Sequence, residues 1–308
     1  MAAFAGLMFF TSCKKNDDTL TINFAAPPST TIVKSGTVKV ITENNVRFHV
    51  LEFGKTVTST IVETENAITI VDVGFGLIAN SGQELRAYAD SIKKPMNIII
   101  THDHRDHFMN LEHFNDIAVY AEAKSASLLL ADTNFTNVYK GNVIAVNGSQ
   151  SIDGLDYMFG DISNTEAPEN GYISIPSLQS FFPGDLTFNK AHTFIRDYTP
   201  LDGTDELTGW INSLQYLKNQ FGSYKHIFVG HNGYSDNVSD LIDANIAYLK
   251  DAQGLIKGTK KLTNGAYAST VKQVVDELAL LYPDYGPGGL YLALPDAFYP
   301  GDPGALWF

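Results

Sequence analysis

Three imidazoles and two carboxylates fall within the six residues His102-Asp103-His104-Arg105-Asp106-His107, directly behind the apolar run Met96-Asn97-Ile98-Ile99-Ile100. Imidazole nitrogens and carboxylate oxygens are the donors that divalent transition ions take. In extended backbone His102 and His104 project to one side, and a turn starting at Asp106 brings its carboxylate and His107 round to a second position. The spacing therefore has room for two ions. A solvated polar loop accounts for a single His-x-His pair. It accounts poorly for this clustering where a buried-looking strand runs out, which is where open α/β architectures place ligands.

The elements that must position this stretch are legible on both sides of it. Thr37–Ile41, Val46–Phe53, Val57–Glu63 and Ala67–Val71 are β-branched runs separated by Glu43-Asn44-Asn45, Gly54-Lys55 and Glu65-Asn66, the pattern of a meander. Ser81 to Lys94 predicts an amphipathic helix with Leu85, Tyr88 and Ile92 on one face. Behind the motif, Ala118–Tyr120 predicts a strand and Ala121 to Ala131 a helix. Short strands follow at Val143–Val146, Tyr157–Ile162, Gly171–Ile175, Gln179–Phe182 and Ala191–Ile195. A helix over Glu206–Gln220 precedes the apolar strand His226–Val229. Beyond Asn237 the chain predicts helices over Asp240–Ile256 and Ser269–Tyr282, stopped by Pro283. Gly286 to Phe308, rich in Gly, Pro and aromatics, reads as an irregular cover.

The chain of 308 residues is 44% hydrophobic and 18% charged, enough for one large domain. Its net charge of −13, from 21 basic and 34 acidic residues, disfavours a nucleic-acid groove and the capture of anionic substrates by bulk field; no nucleic acid is expected, and a small-molecule substrate is the expected partner. Composition says nothing about oligomeric state. The single cysteine excludes an internal disulfide and a Cys-based zinc finger. Cys13 ends an apolar run from Ala2 to Phe10 followed by Thr11-Ser12, which resembles the lipobox of a bacterial lipoprotein signal peptide, without the usual basic residue ahead of it. That resemblance implies a mature chain beginning at a lipidated Cys13 and anchored in the cell envelope. Residues 1–35 then read as signal and flexible tether, and 36–308 as one folded domain with a helical C-terminal extension.

The spelling His-x-His-x-Asp-His resembles the metallo-β-lactamase superfamily of hydrolases, and further stations stand in the family's order over residues 36 to 236. Asp72, in Ile70-Val71-Asp72-Val73-Gly74, matches an acid that orients the ligand loop. Asp185, in Pro183-Gly184-Asp185, matches a bridging aspartate, and His231, in Gly230-His231-Asn232-Gly233, a last ligand. The third ligand departs from the pattern: most members place a His there, whereas this chain reads Thr165-Glu166-Ala167-Pro168. A glutamate at this place resembles the alkylsulfatase branch, although the chain lacks the length for that branch's extra C-terminal domain.

The resemblance implies an α/β fold, an αββα sandwich, and two divalent ions, zinc in the first instance with Mn or Fe tolerated. It implies His102, His104 and Glu166 on one ion and Asp106, His107 and His231 on the other. Asp185 and a hydroxide would lie between them, for hydrolysis of an ester-type bond. Asp106 doubles as a group that orients the nucleophile or accepts its proton. His192 is the alternative donor if Glu166 does not reach, and Lys190 and Arg196 are candidate anion holders. A bridging aspartate disfavours β-lactam hydrolysis. The remaining readings are an alkylsulfatase-like sulfuric ester hydrolase, a lactonase, a glyoxalase-II-like thioesterase, and a non-catalytic metal-binding envelope lipoprotein.

Overall fold

A computed structural model describes residues 24–54, 57–75, 78–163, 165–193, 195 and 206–286. Cys13, Arg196 and, apart from Gly286, the segment expected to form a cover lie outside them. The first sheet has seven strands in chain order: β1 (Gly36–Glu43), β2 (Val46–Phe53), β3 (Val57–Glu63), β4 (Ile68–Val71), β5 (Met96–Ile99), β6 (Val119–Glu122) and β7 (Val143–Val146). β1 to β4 form the antiparallel meander, and β4 to β7 run parallel. The second sheet contains β8 (Ser149–Ile152), β9 (Leu155–Ser163), β10 (Glu169–Ile175), β11 (Ser180–Gly184), β12 (His226–Val229) and β13 (Tyr234–Ser235), in the order β13-β12-β11-β10-β9-β8. Within it β11 and β12 are parallel.

The period of two in the strands sends alternate side chains into different cores. From β2, Leu51 and Phe53 join Leu85 and Tyr88 of α1 (Ser81–Ile92), while Phe48 and Val50 face the other sheet and meet Phe182 and Phe228. From β12, Ile227 and Val229 pack under Trp210 and Leu214 of α5 (Glu206–Phe221) and Ile242 and Leu249 of α6 (Val238–Ile256), while Phe228 points inward. Three cores separate four layers, helices, sheet, sheet, helices, so the αββα sandwich is present. The inner core is rich in aromatic contacts, with Phe228 stacked on Phe48 at 4.6 Å and on Phe182 at 5.0 Å between ring centroids.

Most boundaries fall within two residues of those expected, and β2 and β3 coincide with them. Several elements were not anticipated: α2 (Arg105–Phe108) inside the motif, α4 (Thr133–Val138) behind α3 (Ala123–Ala131), and the short strands β8 and β13. The last helix, α7 (Val271–Leu281), is a little shorter than its sequence pattern.

The strand expected over Ala191–Ile195 does not form among its described residues. Lys190 takes a positive φ of 48°, which breaks extension, and Ala191 makes one isolated bridge, to Gly286. That pairing uses two backbone bonds, His192 N–H to the Gly286 carbonyl and Gly286 N–H to the Lys190 carbonyl.

Residues 24–35, read from sequence as the end of a tether, lie against the domain. The Arg47 guanidinium sits over the Phe24 ring and donates to the Ala25 carbonyl at 2.7 Å, and the Lys34 and Ser35 N–H groups both donate to Glu84.

Candidate metal centre

The site residues stand at the C-terminal ends of strands, along one edge of the sandwich. Asp72 follows β4 directly, Thr101 and His102 follow β5, Asp185 follows β11, and Gly230 and His231 follow β12. Parallel pairing of β4 with β5, and of β11 with β12, sends these four loops out on the same edge. After His104 the chain turns into α2, which swings Asp106 and His107 away from His102 and His104. Glu166 enters from the second sheet, on the turn between β9 and β10.

These loops form two donor groups, His102, His104, Glu166 and Asp185 in one, and Asp106, His107, Asp185 and His231 in the other. Within each group the donor atoms all lie within 4.8 Å of one another, and Asp185 belongs to both. In the first, Glu166 Oε1 is 3.1 Å from His104 Nδ1 and Oε2 is 3.8 Å from His102 Nε2. In the second, Asp185 Oδ1 is 3.2 Å from His107 Nε2 and Oδ2 is 2.9 Å from His231 Nε2, while Asp106 Oδ2 is 3.2 Å from that same His231 nitrogen. His102 Nε2, His107 Nε2, both Glu166 oxygens and Asp185 Oδ1 are buried without a hydrogen bond. Buried polar atoms are ordinarily hydrogen-bonded. Five such atoms converging on two points, with the donor chemistry of zinc and related ions, fit a pair of divalent cations.

Asp72 fixes how two of the imidazoles present themselves. It accepts from Thr101 N–H at 2.8 Å, from the Thr101 hydroxyl at 2.9 Å and from His107 Nδ1 at 2.8 Å. With its hydroxyl hydrogen committed to Asp72, Thr101 Oγ1 accepts from His102 Nδ1 at 3.0 Å. Both rings therefore carry their hydrogen on Nδ1 and turn the Nε2 lone pair into the site. Asp72 holds this position at a φ of 55°, a backbone conformation rarely adopted by a non-glycine residue. Thr101 is a positioning residue that the sequence reading passed over, although a hydroxyl residue directly ahead of His102 was there to be read.

Burial disfavours charge on His107, but Asp185, Asp72 and Asp106 outweigh it and hold the ring's pKa well above the ordinary value. The same contest, with Asp185 as the main partner, lifts His231 to about 10. Burial, with help from the neighbouring His107 and His104, pushes His102 well below its usual value. Burial also raises Glu166 to about 7 against the pull of His104. Protons and cations compete for these lone pairs, so metal uptake near neutral pH is expected to release protons. The open side of the site is at His104 and Asp106, whose side chains are 18% and 27% exposed.

His192 is in neither group. Its Nδ1 lies 3.1 Å from the Tyr248 hydroxyl, in an aromatic cluster with Tyr285, so Glu166 is the residue that completes the first group.

Two glycines make room for the donors. A Cβ on Gly171, in β10, would stand 2.1 Å from the Thr101 carbonyl oxygen, and one on Gly230 would stand 2.4 Å from Asp185 Oδ1. The Gly171 clash is with backbone and has no flexible atom to move aside. Gly171→Ala is expected to push β10 and the Glu166 turn off the His102 loop, costing about 1–3 kcal/mol as overpacking does. Denaturant unfolding would measure it, and an unchanged midpoint would refute the close approach.

Residues 54–142 match the sequence-family model described as the Metallo-beta-lactamase superfamily, a span that includes Asp72 and His102 to His107. No curated protein matches the chain. Among solved structures, a metallo-beta-lactamase from Pontibacter korlensis superposes with a TM-score of 0.52 at 18% identity, over 70% of this chain and 99% of that one. The metallo-beta-lactamase DIM-1 exposed to ceftazidime gives 0.54 at 16% identity, over 70% and 97%. VMB-1 gives 0.55 at 17% identity, over 72% and 99%. At these identities the likeness is one of fold. The segment that carries the histidine motif thus matches the Metallo-beta-lactamase superfamily model, and the sandwich that displays it shares its fold with these metallo-beta-lactamase structures.

Proposed function

We propose that this chain is a dinuclear metal-dependent hydrolase that cleaves an ester-type bond of a small molecule. The observation that carries the reading is the pair of donor groups joined by Asp185, with five buried donor atoms left for a cation to satisfy. His102, His104 and Glu166 would hold one ion and Asp106, His107 and His231 the other. When bound, such a pair acidifies water, polarises an electrophilic centre and stabilises the leaving oxygen.

The protein's own part is to hold this arrangement without reorganisation. Asp72 and Thr101 set the imidazole tautomers, and Asp185 spans the two positions. Burial opposes ionisation of Asp106, but His107 and His231 overcome it and keep its carboxyl well below the usual range. Asp106 therefore acts as an ionised donor and hydrogen-bond acceptor towards the nucleophile, and stores no proton at neutral pH.

Glu166 supports a second reading, sulfuric ester hydrolysis, because the glutamate that resembles the alkylsulfatase branch is the third member of the first group. A carboxylate there also favours harder ions than an imidazole would. Glu166→His is expected to narrow metal use from Zn, Mn and Fe(II) towards Zn. Equal Zn and Mn affinities in both proteins would show that Glu166 is not a ligand.

Elemental analysis of reconstituted protein, followed by a panel of carboxylic ester, lactone, thioester, phosphodiester, sulfate ester and β-lactam substrates, tests the function. Two equivalents of metal with metal-dependent turnover of one class support it. Stable protein with no metal and no turnover returns the chain to a binding role in the cell envelope. Lipid anchoring through Cys13 remains a separate proposal on the sequence pattern, read out by mass spectrometry of the mature N-terminus.

A further inference from the structure

The loop that follows β11 owes its shape to groups from outside itself. Trp210 Nε1, on α5, donates to the Leu186 carbonyl at 3.1 Å. Two residues on, the buried amide of Asn245 on α6 takes both backbone groups of Phe188. Its Oδ1 accepts from Phe188 N–H at 2.9 Å, and its Nδ2 donates to the Phe188 carbonyl at 2.9 Å and to its own helix at Leu241 at 2.8 Å. This pairing commits one acceptor and one donor of the side chain to a single loop residue, and the second donor ties it to its own helix. The clamped Phe188 ring lies flat against His231, with centroids 5.0 Å apart and planes 17° from parallel.

A second set of bonds ties the Asp185 loop to the His231 loop. Asn189 N–H donates to the His231 carbonyl at 3.3 Å, and Asn189 Nδ2 donates to the carbonyls of Asn232 and Tyr234 at 3.0 and 3.1 Å. Asn232 returns a bond from Nδ2 to the Asn189 carbonyl at 2.6 Å, from a backbone φ of 66°.

We propose that Asn245, through Phe188, and Asn189, through its bonds to residues 231, 232 and 234, are positioning residues for His231. They keep its ring against Asp185 and Asp106 so that the second donor group is formed before a cation enters. Neither Asn touches the reacting atoms. This inference rests on the proposed metal centre. In the first group His102 is set instead by Thr101 and Asp72, and only the shared Asp185 lies on the clamped loop, so the larger effect should fall on the second ion.

Single-site backgrounds separate the two ions. His104→Ala leaves the second group whole, and His231→Ala leaves His102, His104 and Glu166 in place. Zn(II) affinity by chelator competition is measured in each background with and without Asn189→Ala and Asn245→Ala. Apo-protein melting is followed in parallel.

The expected result is a loss of about 10–100-fold in affinity in the His104→Ala background, the range for groups that orient a ligand, and less than twofold in the His231→Ala background. Asn245→Ala strands two buried backbone groups and can compromise folding. Asn232→Gly is the gentler variant, because glycine accepts the positive φ and only the cross-bond is lost. It should still weaken the His104→Ala protein selectively. Equal weakening in both backgrounds, or lowered melting with unchanged affinity, would overturn the proposal and make these residues general scaffold. Parent protein that takes up no metal would overturn the metal centre as well.

Discussion

Asp185→Asn is expected to empty both metal positions. One carboxylate serves the two groups, Oδ1 towards His107 at 3.2 Å and Oδ2 towards His231 at 2.9 Å, with the side chain only 3% exposed. The amide keeps the shape but removes a negative charge and turns an N–H₂ group towards where cations must sit. Affinity should therefore fall by more than the ~10–100-fold typical of losing an outer hydrogen-bond partner, and hydrolysis should fall with it. Gly230→Ala should act on the same point by a steric route, because its methyl would stand 2.4 Å from Asp185 Oδ1 and 2.6 Å from His107 Cε1. Equilibrium metal analysis after dialysis reads both variants. Full occupancy in Asp185→Asn would mean that the two groups do not share this residue.

The second large effect is on stability and lies away from the metal edge. Glu63, at the end of β3, receives Arg47 Nε at 2.8 Å and Nη2 at 2.9 Å, His49 Nε2 at 2.8 Å and Lys94 Nζ at 2.8 Å. His49 Nδ1 in turn meets the Tyr88 hydroxyl at 2.9 Å. Burial alone would raise the Glu63 carboxyl, but His49, Arg47 and Lys94 together bring it down to about 2 from 4.5. A carboxyl depressed in the folded state binds its proton more readily in the unfolded chain. The stability it contributes is thus complete above about pH 4.5 and is lost as pH falls towards 2.

Glu63→Gln should destabilise the fold by about 3–5 kcal/mol at neutral pH, since it leaves Arg47 buried without its carboxylate. It should also flatten the stability profile across that acid window. Urea unfolding of both proteins from pH 2 to 7 is the check. A variant within about 1 kcal/mol of the parent with the same acid slope would show the network to be energetically neutral, as some buried ion pairs are.

Local signals in the sequence were enough for most of the scaffold. β2 and β3 are long β-branched runs bounded by Asn-Asn and Gly-Lys turns, so their ends could be placed. The dense motif from His102 to His107 declared its chemistry because so many donors in one stretch have no common structural use. Glu166, Asp185 and His231 are single residues in unrelated segments, and only the order of stations in a family picked them out. The structure brings all three to one edge.

What failed to show in the sequence depends on contacts across the fold. β8 and β13 are short edge strands with polar faces, and α4 is too short for a helical period to develop. Ala191–Ile195 has the composition of a strand but pairs only at Ala191, with Gly286. The asparagines at 189, 232 and 245 look like ordinary turn or surface residues in a sequence. Their role depends on α6 lying against the β11 loop, which no local pattern announces.

Anomalous diffraction from a zinc-loaded crystal, collected at the metal edge, tests the central claim most directly. Two peaks about 3.5–4 Å apart are expected, one bounded by His102, His104 and Glu166, the other by Asp106, His107 and His231, with Asp185 in contact with both. A single peak, or a pair in which Glu166 or Asp185 touches neither ion, would contradict the account.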